Sequence, residues 1–352
     1  MADQLSFFVY QRGMHMGRII PVFIPHAGCP HQCIFCNQKK ISGQSEASLL
    51  NAEKQINRYL QWIKPSSENE IAFYGGSFTG LPLELQKGLL TLSDKFIELG
   101  VIGSVRLSTR PDYIDDDIVD LLKQHHVTLV ELGVQSLDNN VLQIAERGHS
   151  AADVEKAVTC LKAKNVSVGI QLMVGLPKQD WLSLSDTVKK VVRLKPEIAR
   201  IYPLLVIKDT PLEKMYKDRA FSPLSLPAAV AQASYVYEHL TSNGIEVIRI
   251  GLQADEELCK EDNIIAGPFH PSFGEMVKSF QYRCWVAEQL EELDGNISGI
   301  LIAHNSKITS QLKGIKKCNE KFWQRIIDKQ DVTLLTDDSL QEAVIKLNMS
   351  AE

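Results

Sequence analysis

No stretch of this 352-residue chain approaches the ~20 consecutive apolar residues that a bilayer-spanning helix requires, so no membrane span or membrane partner is expected. The opening residues, MADQLSFFVYQRGMHMGR, lack the long apolar core and small-residue cleavage site of a secretory signal. Cysteine is scarce: seven, an odd number, scattered over a long chain, which excludes the disulfide framework of a small secreted domain. A reducing cytoplasm is the expected location. Charge of one sign is also missing. A formal net charge of −5 provides no global field to recruit nucleic acid or an acidic membrane, although local patches remain open. No internal repeat or low-complexity tract interrupts the chain. What remains, 44% hydrophobic and 23% charged residues, is the composition of a soluble globular protein with a substantial core.

Six short β-rich runs alternate with helical stretches: IIPVFI (19–24), EIAFY (70–74), SVRLS (104–108), TLVELGV (128–134), VSVGIQLMV (166–174) and ARIYPLLV (199–206). They are near-continuous apolar segments, as strands covered on both faces should be. Amphipathic segments such as 82–100 and 115–125 lie between them. This alternation predicts parallel strands with right-handed crossovers, an α/β chain whose six units are too few for a full eightfold barrel but suit an open, partial (β/α)6 barrel. In such barrels the working loops follow the carboxyl ends of the strands. Beyond residue 206 the pattern changes: a helix to about 243, a strand at 245–251, a loop over 252–274, a helix over 275–293, a strand at 298–304, a helix over 307–329 and a strand at 331–336. The expected division is an N-terminal segment (1–18), the partial barrel (19–250) and a small C-terminal α/β appendix (251–352).

The loop after the first strand reads AGCPHQCIFCNQ (27–38), with Cys29, Cys33 and Cys36 in the spacing C-x3-C-x2-C. Structural zinc, with His26 or His31 as fourth ligand, usually draws on two separated pairs, and no second CxxC exists. The other reading is a four-iron, four-sulfur cluster on three thiolates, whose fourth iron lacks a protein ligand and is free to bind a cofactor. This spacing resembles the signature of the radical S-adenosylmethionine (SAM) superfamily. The resemblance implies one 4Fe–4S cluster held by those cysteines, with SAM chelated at the open iron, reductive cleavage to a 5′-deoxyadenosyl radical, and hydrogen abstraction from a substrate. It also implies a reductase, ferredoxin or flavodoxin as electron donor.

Further motifs carry the resemblance along the chain. Phe35 matches the aromatic position near the adenine. YGGSFTG (74–80) follows strand two, and its Gly75, Gly76 and Ser77 correspond to the turn that holds the amino group of SAM. Ser108, Gln135 and Gln171, at the ends of strands three, four and five, fall where the family contacts the methionine or ribose. Arg147, in ERGHS, falls where a cation meets the carboxylate of SAM. Related enzymes carry carboxylates where this chain has Ser108 and Gln171, which implies a different arrangement at the ribose.

TRPDY, LGVQSLDNNVLQIAERGHS and RIYPLLVIKDTPLEKMY narrow the resemblance, over about residues 20–250, to the radical SAM domain of Elongator's catalytic subunit, a tRNA-modifying enzyme. The first two cysteines are closer here than in Elongator, and the residues after 250 lack the Gly-rich pyrophosphate loop of an acetyltransferase, so acetyl-CoA use is not expected. tRNA is a candidate substrate. Lys307, Lys313, Lys316, Lys317, Lys321 and Arg325 stand against a single Glu320 in 306–325. Either this is a basic helix with an exposed aromatic tracking phosphates, or a solvated helix packing Ile308, Leu312, Ile315, Trp323 and Ile326 inward. Tyr202, facing the lumen or the outer helices, and His270, in GPFHPSFGE, are candidate catalytic groups. The alternative function is a haem or small-molecule chaperone, like some relatives of coproporphyrinogen dehydrogenase, without substrate chemistry. No haem-ligand motif supports it, since His125-His126 ends a helix and is expected to be solvated.

Overall fold

A computed structural model describes residues 5–6, 17–24, 33–37, 48–252, 263–291, 297–327, 331–340 and 343–349. The chain forms two compact units, one of residues 14–271 and one that joins residues 1–13 to 272–352.

The strand β1 (Leu5–Ser6) belongs to the smaller unit. The larger one holds β2 (Ile19–Ile24), β3 (Glu70–Gly75), β4 (Ser104–Thr109), β5 (Val127–Gln135), β6 (Ser167–Val174), β7 (Ile198–Pro203), β8 (Val206–Ile207), β9 (Glu246–Ile250) and β10 (Ile264–Ala266). A seven-stranded sheet has the order β2-β3-β4-β5-β6-β7-β9, every pair parallel. The expected partial barrel is therefore present and has one more strand than its six sequence runs imply: the run at 245–251 pairs with β7. Pro203 ends β7, so the run 199–206 splits, and its tail forms β8, an antiparallel partner for β10 inside what reads as loop at 252–274.

Period-two burial sets the two faces of the sheet. In β4 Val105, Leu107 and Thr109 are buried while Ser104, Arg106 and Ser108 are half-buried. The larger unit also holds helices α1 (Leu49–Leu60), α2 (Leu83–Glu98), α3 (Asp116–Gln124), α4 (Asn139–Ile144), α5 (Ala151–Ala163), α6 (Trp181–Leu194), α7 (Pro211–Lys217) and α8 (Leu226–Ser242). Side-chain caps fix where they start: Asp115 accepts from Ile118 N, Asp180 from Ser183 N, and Ser150 and Asp153 form a reciprocal capping box. The His125-His126 pair is not simply solvated. Both Nδ1 atoms meet the carboxylate of Asp94, at 2.6 and 3.3 Å, and only His126 is exposed.

The smaller unit contains α9 (Phe273–Glu291), β11 (Ile297–His304), α10 (Thr309–Lys313), α11 (Cys318–Ile326), β12 (Asp331–Thr336) and β13 (Val344–Met349), with sheet order β1-β13-β11-β12. The helix expected over 307–329 is broken. Gly314, Lys316 and Lys317 all have left-handed φ, of +69°, +54° and +59°, and a Cβ on Gly314 would lie 2.6 Å from Cys318 Sγ. The break lets Leu312 and Trp323 both reach the core, where Asn319 Nδ2 ties the segments by donating to Leu312 O and Ser279 O. Ile308 is buried as expected, whereas Ile315 and Ile326 are exposed. Trp323 is fully buried and donates from Nε1 to Arg283 O; the exposed aromatic is its neighbour Phe322.

Candidate active site at the carboxyl ends of the strands

Cys29 lies outside the described residues. Cys33 and Cys36 stand at the two ends of a tight turn in which Cys36 N donates to Cys33 O at 3.0 Å. Two flanking elements clamp this turn: Ile34 N donates to Ala145 O at the end of α4, and Leu212 N of α7 donates to Ile34 O at 2.8 Å. Ile34 is buried and Phe35 packs with it against an apolar cluster that includes Val141, Leu176 and Leu204. Cys33 is buried and Cys36 half-buried. Two thiols are thus presented from a loop that has little freedom to move.

β3 ends at Gly75, with φ of +112°, and a Cβ there would sit 2.4 Å from Ile24 O of β2. Only glycine fits. The hydroxyls of Ser77 and Thr79 meet Thr109 Oγ1 at 2.8 and 2.6 Å, and Arg110 N donates to Ser77 Oγ. The Ser77 side chain therefore fixes the glycine turn onto the end of β4. Ile24, Tyr74, Gly76, Ser77 and Ser108 help line a narrow crevice at these strand ends.

At the end of β5 the register shifts between Leu132 and Gln135, and Gln135 takes a left-handed φ of +66°. Such a conformation costs a non-glycine residue about 1 kcal/mol, and backbone strain of this kind collects at functional sites. Gln135 is buried, yet its Oε1 accepts no hydrogen bond. Arg147 is buried too. Its Nη1 donates to Cys33 Sγ at 3.0 Å and its Nη2 to Gly133 O at 2.5 Å, while Nε has no partner. Buried polar atoms are nearly always paired, so an orphaned acceptor and an orphaned cationic donor on one rim point to a ligand that carries both an ammonium and a carboxylate.

His149, two residues beyond Arg147, is 8% exposed. Burial, then the charges of Arg147 and Arg110, push its pKa down to about 4. The imidazole is neutral in the folded protein but protonates in the unfolded chain near pH 6.5. The unfolded state thus binds more protons between those values, and stability falls as pH drops from about 6.5 to about 4. His149→Gln is expected to flatten this part of the pH dependence, by up to about 1.4 kcal/mol per pH unit, in urea unfolding midpoints.

Below the rim, the half-buried face of the sheet carries a polar network across five strands. Arg200 donates to both carboxylate oxygens of Glu131, from Nε at 2.5 Å and from Nη2 at 2.9 Å. Tyr74 OH donates to Glu131 and accepts from Arg200, and Gln171 Nε2 donates to Glu131 at 3.3 Å and to Ser108 Oγ at 3.4 Å. Burial and the Glu131 charge push the Tyr74 hydroxyl up to about 12, so it stays a donor. Tyr202 shares the face of Arg200, and burial raises its pKa. His270 is half-buried in the loop after β10. Sequence reasoning singled out Ser108 and Gln171 at strand ends and left Tyr202 open between the lumen and the outer helices, but missed Glu131, Arg200 and His149. The signal was available: a lone acid in TLVELGV and a lone cation in ARIYP, each at an inward position of a strand that is otherwise apolar.

A parallel half-barrel that gathers a thiol turn, a glycine turn and unpaired buried polar groups at its strand ends defines a class of cofactor-dependent enzymes with one site at the barrel mouth. Residues 23–191 match the Radical SAM superfamily and residues 196–282 the Radical SAM C-terminal domain. The chain is 31% identical over 234 residues to the uncharacterized protein MJ0486 of Methanocaldococcus jannaschii, covering 63% of this chain and 71% of that one. It belongs to the Radical SAM superfamily. It is also 28% identical over 258 residues to the tRNA uridine(34) acetyltransferase of Methanocaldococcus infernus, covering 62% of this chain and 48% of that one. The solved archaeal Elp3 of M. infernus, with an N-terminal deletion, superposes with a TM-score of 0.61 at 22% identity, over 77% of this chain and 64% of that chain. The chain spans about half the length of the tRNA uridine(34) acetyltransferases that it matches.

The protein is thus a radical SAM enzyme, and its cofactors are a 4Fe–4S cluster and SAM. The side chains described at the mouth fit both groups. A buried thiol beside a guanidinium suits a thiolate ligand, and Gln135 Oε1 with Arg147 Nε–H suits an amino acid end.

Proposed function

We propose that this chain acts on a base of tRNA, with Cys29, Cys33 and Cys36 as the three cluster ligands. Bound together, a reduced cluster and SAM supply one-electron cleavage of the sulfonium and a carbon-centred radical that takes a hydrogen atom from the substrate. The residues of the chain bind, orient and shield. Gly75 and Gly76 bring backbone close to the amino group of SAM, with Ser77 pinning that turn to Thr109. Gln135 accepts from the amino group and Arg147 holds the carboxylate. Phe35 stands at the adenine, and Ser108 and Gln171, joined by the Gln171 Nε2 to Ser108 Oγ hydrogen bond, face the ribose. Tyr202 is the candidate for proton or electron relay on the same face, and His270, in the loop after β10, is the second candidate. Electrons come from a reductase or a ferredoxin- or flavodoxin-type donor, which places the protein in a reducing cytoplasm.

The substrate reading is carried by the similarity to tRNA uridine(34) acetyltransferases. The basic stretch of the smaller unit supports it. Lys307, Lys316, Lys317, Lys321 and Arg325 are exposed there together with Phe322. Glu320 lies 3.9 Å from Lys317, and Asp338 is near enough to Lys307 for the two charges to interact. Binding of bulk tRNA is expected to fall by roughly one log unit per log unit of salt for each phosphate neutralised. Lys316→Glu, Lys317→Glu and Lys321→Glu together should reduce that slope by about three. A slope near zero for the native protein sinks the tRNA reading. One mole of haem bound per mole of protein, with no tRNA affinity, would favour a chaperone instead.

A further inference from the structure

Arg147 is 7% exposed, and no carboxylate among the described residues lies within ion-pair distance of it. A buried guanidinium without a counter-charge carries a desolvation cost of several kcal/mol, which a thiolate or a bound anion beside it would offset. The contact it does make is specific: Nη1 donates to Cys33 Sγ at 3.0 Å, with the fork held in place by Gly133 O.

We propose that Arg147 is a positioning and tuning residue for the cluster, raising the reduction potential through the N–H···S contact to Cys33. This rests on Cys33 being a cluster ligand. Reduction adds one electron, supplied by a dithionite- or flavodoxin-class donor, and much of the added charge resides on sulfur. A fixed cation that donates to one ligand sulfur stabilises the reduced form more than the oxidised one. Cys33 and Ile34 are both buried, and in so poorly solvated a place the charge acts with less screening than at the surface. The unpartnered Nε leaves the same guanidinium able to receive a carboxylate. Binding of SAM would then neutralise part of the charge that the cluster feels, so one side chain links cofactor occupancy to the ease of reduction.

The test is an EPR-monitored redox titration of the full-length reconstituted protein without SAM, alongside Arg147→Gln and Arg147→Met, with iron and sulfide measured in each. Both variants are expected to load the cluster and to show a more negative midpoint than the native protein. The Met variant, lacking charge and donor, should shift further than the Gln variant. An unchanged midpoint in the loaded variants overturns the proposal. If the Met variant loads no cluster, the Gln variant decides alone, and loss of loading in both overturns it by making Arg147 an assembly residue. A native protein that binds no cluster would instead remove the assignment of Cys33, a result separable from an unshifted midpoint.

Discussion

Cys33→Ala is expected to lose its cluster and all SAM cleavage, with iron content and 5′-deoxyadenosine both at background. The reason is arithmetic at the metal: with one of three thiolates gone, two irons lack a protein ligand, and one open iron is all the chemistry uses. The clamped turn makes substitution by a neighbour implausible, since Ile34 is bonded to α4 and α7 and Phe35 is packed into the apolar cluster. The variant should still fold. It leaves Arg147 Nη1 without its sulfur acceptor, which costs about 1–3 kcal/mol for a buried donor, well short of typical domain stability. Near-native far-UV dichroism with no iron is the expected combination. Full iron content in Cys33→Ala would contradict the ligand assignment.

Arg200→Met is expected to destabilise the protein by about 3–5 kcal/mol, because it leaves Glu131 buried and unpaired. Glu131 is 1% exposed and has Arg200 as its only cationic hydrogen-bond partner among the described residues. Glu131→Gln with Arg200→Met should recover a good part of that loss, since the double change removes both charges and leaves a neutral network with Tyr74 and Gln171. Urea unfolding of the four proteins measures the coupling. Additive losses would mean that the pair is not an interacting unit. The same variants probe the site: the network joins Tyr74, next to Gly75, to Gln171 and Ser108, so KM for SAM should rise in Arg200→Met even where the fold persists.

The barrel was legible because its strands obey local rules. Each of the first five is a near-continuous apolar run of sufficient length, and a parallel sheet follows from their alternation with helices. The cysteine spacing and the glycine turn were legible because their chemistry is local too. The seventh strand was harder: IEVIRIG follows a Pro-rich stretch and a long helix, and its place beside β7 is a nonlocal pairing. The break at residues 314–317 was hidden for a different reason. Gly314 tolerates a helix, and two left-handed lysines are chosen by the burial of Leu312 and Trp323 on either side. The Glu131–Arg200 pair spans 69 residues, so neither residue reveals its partner by spacing. His149 shows only as part of ERGHS, and what marks it, burial beside two guanidinium groups, exists only in the fold.

Anaerobic reconstitution with iron and sulfide, reduction with dithionite and addition of SAM, followed by mass spectrometry for 5′-deoxyadenosine, tests the central claim most directly. The account predicts that the nucleoside forms, that it is absent from Cys33→Ala, and that bulk tRNA stimulates its release. A reduced, fully loaded protein that binds SAM and releases none would contradict it.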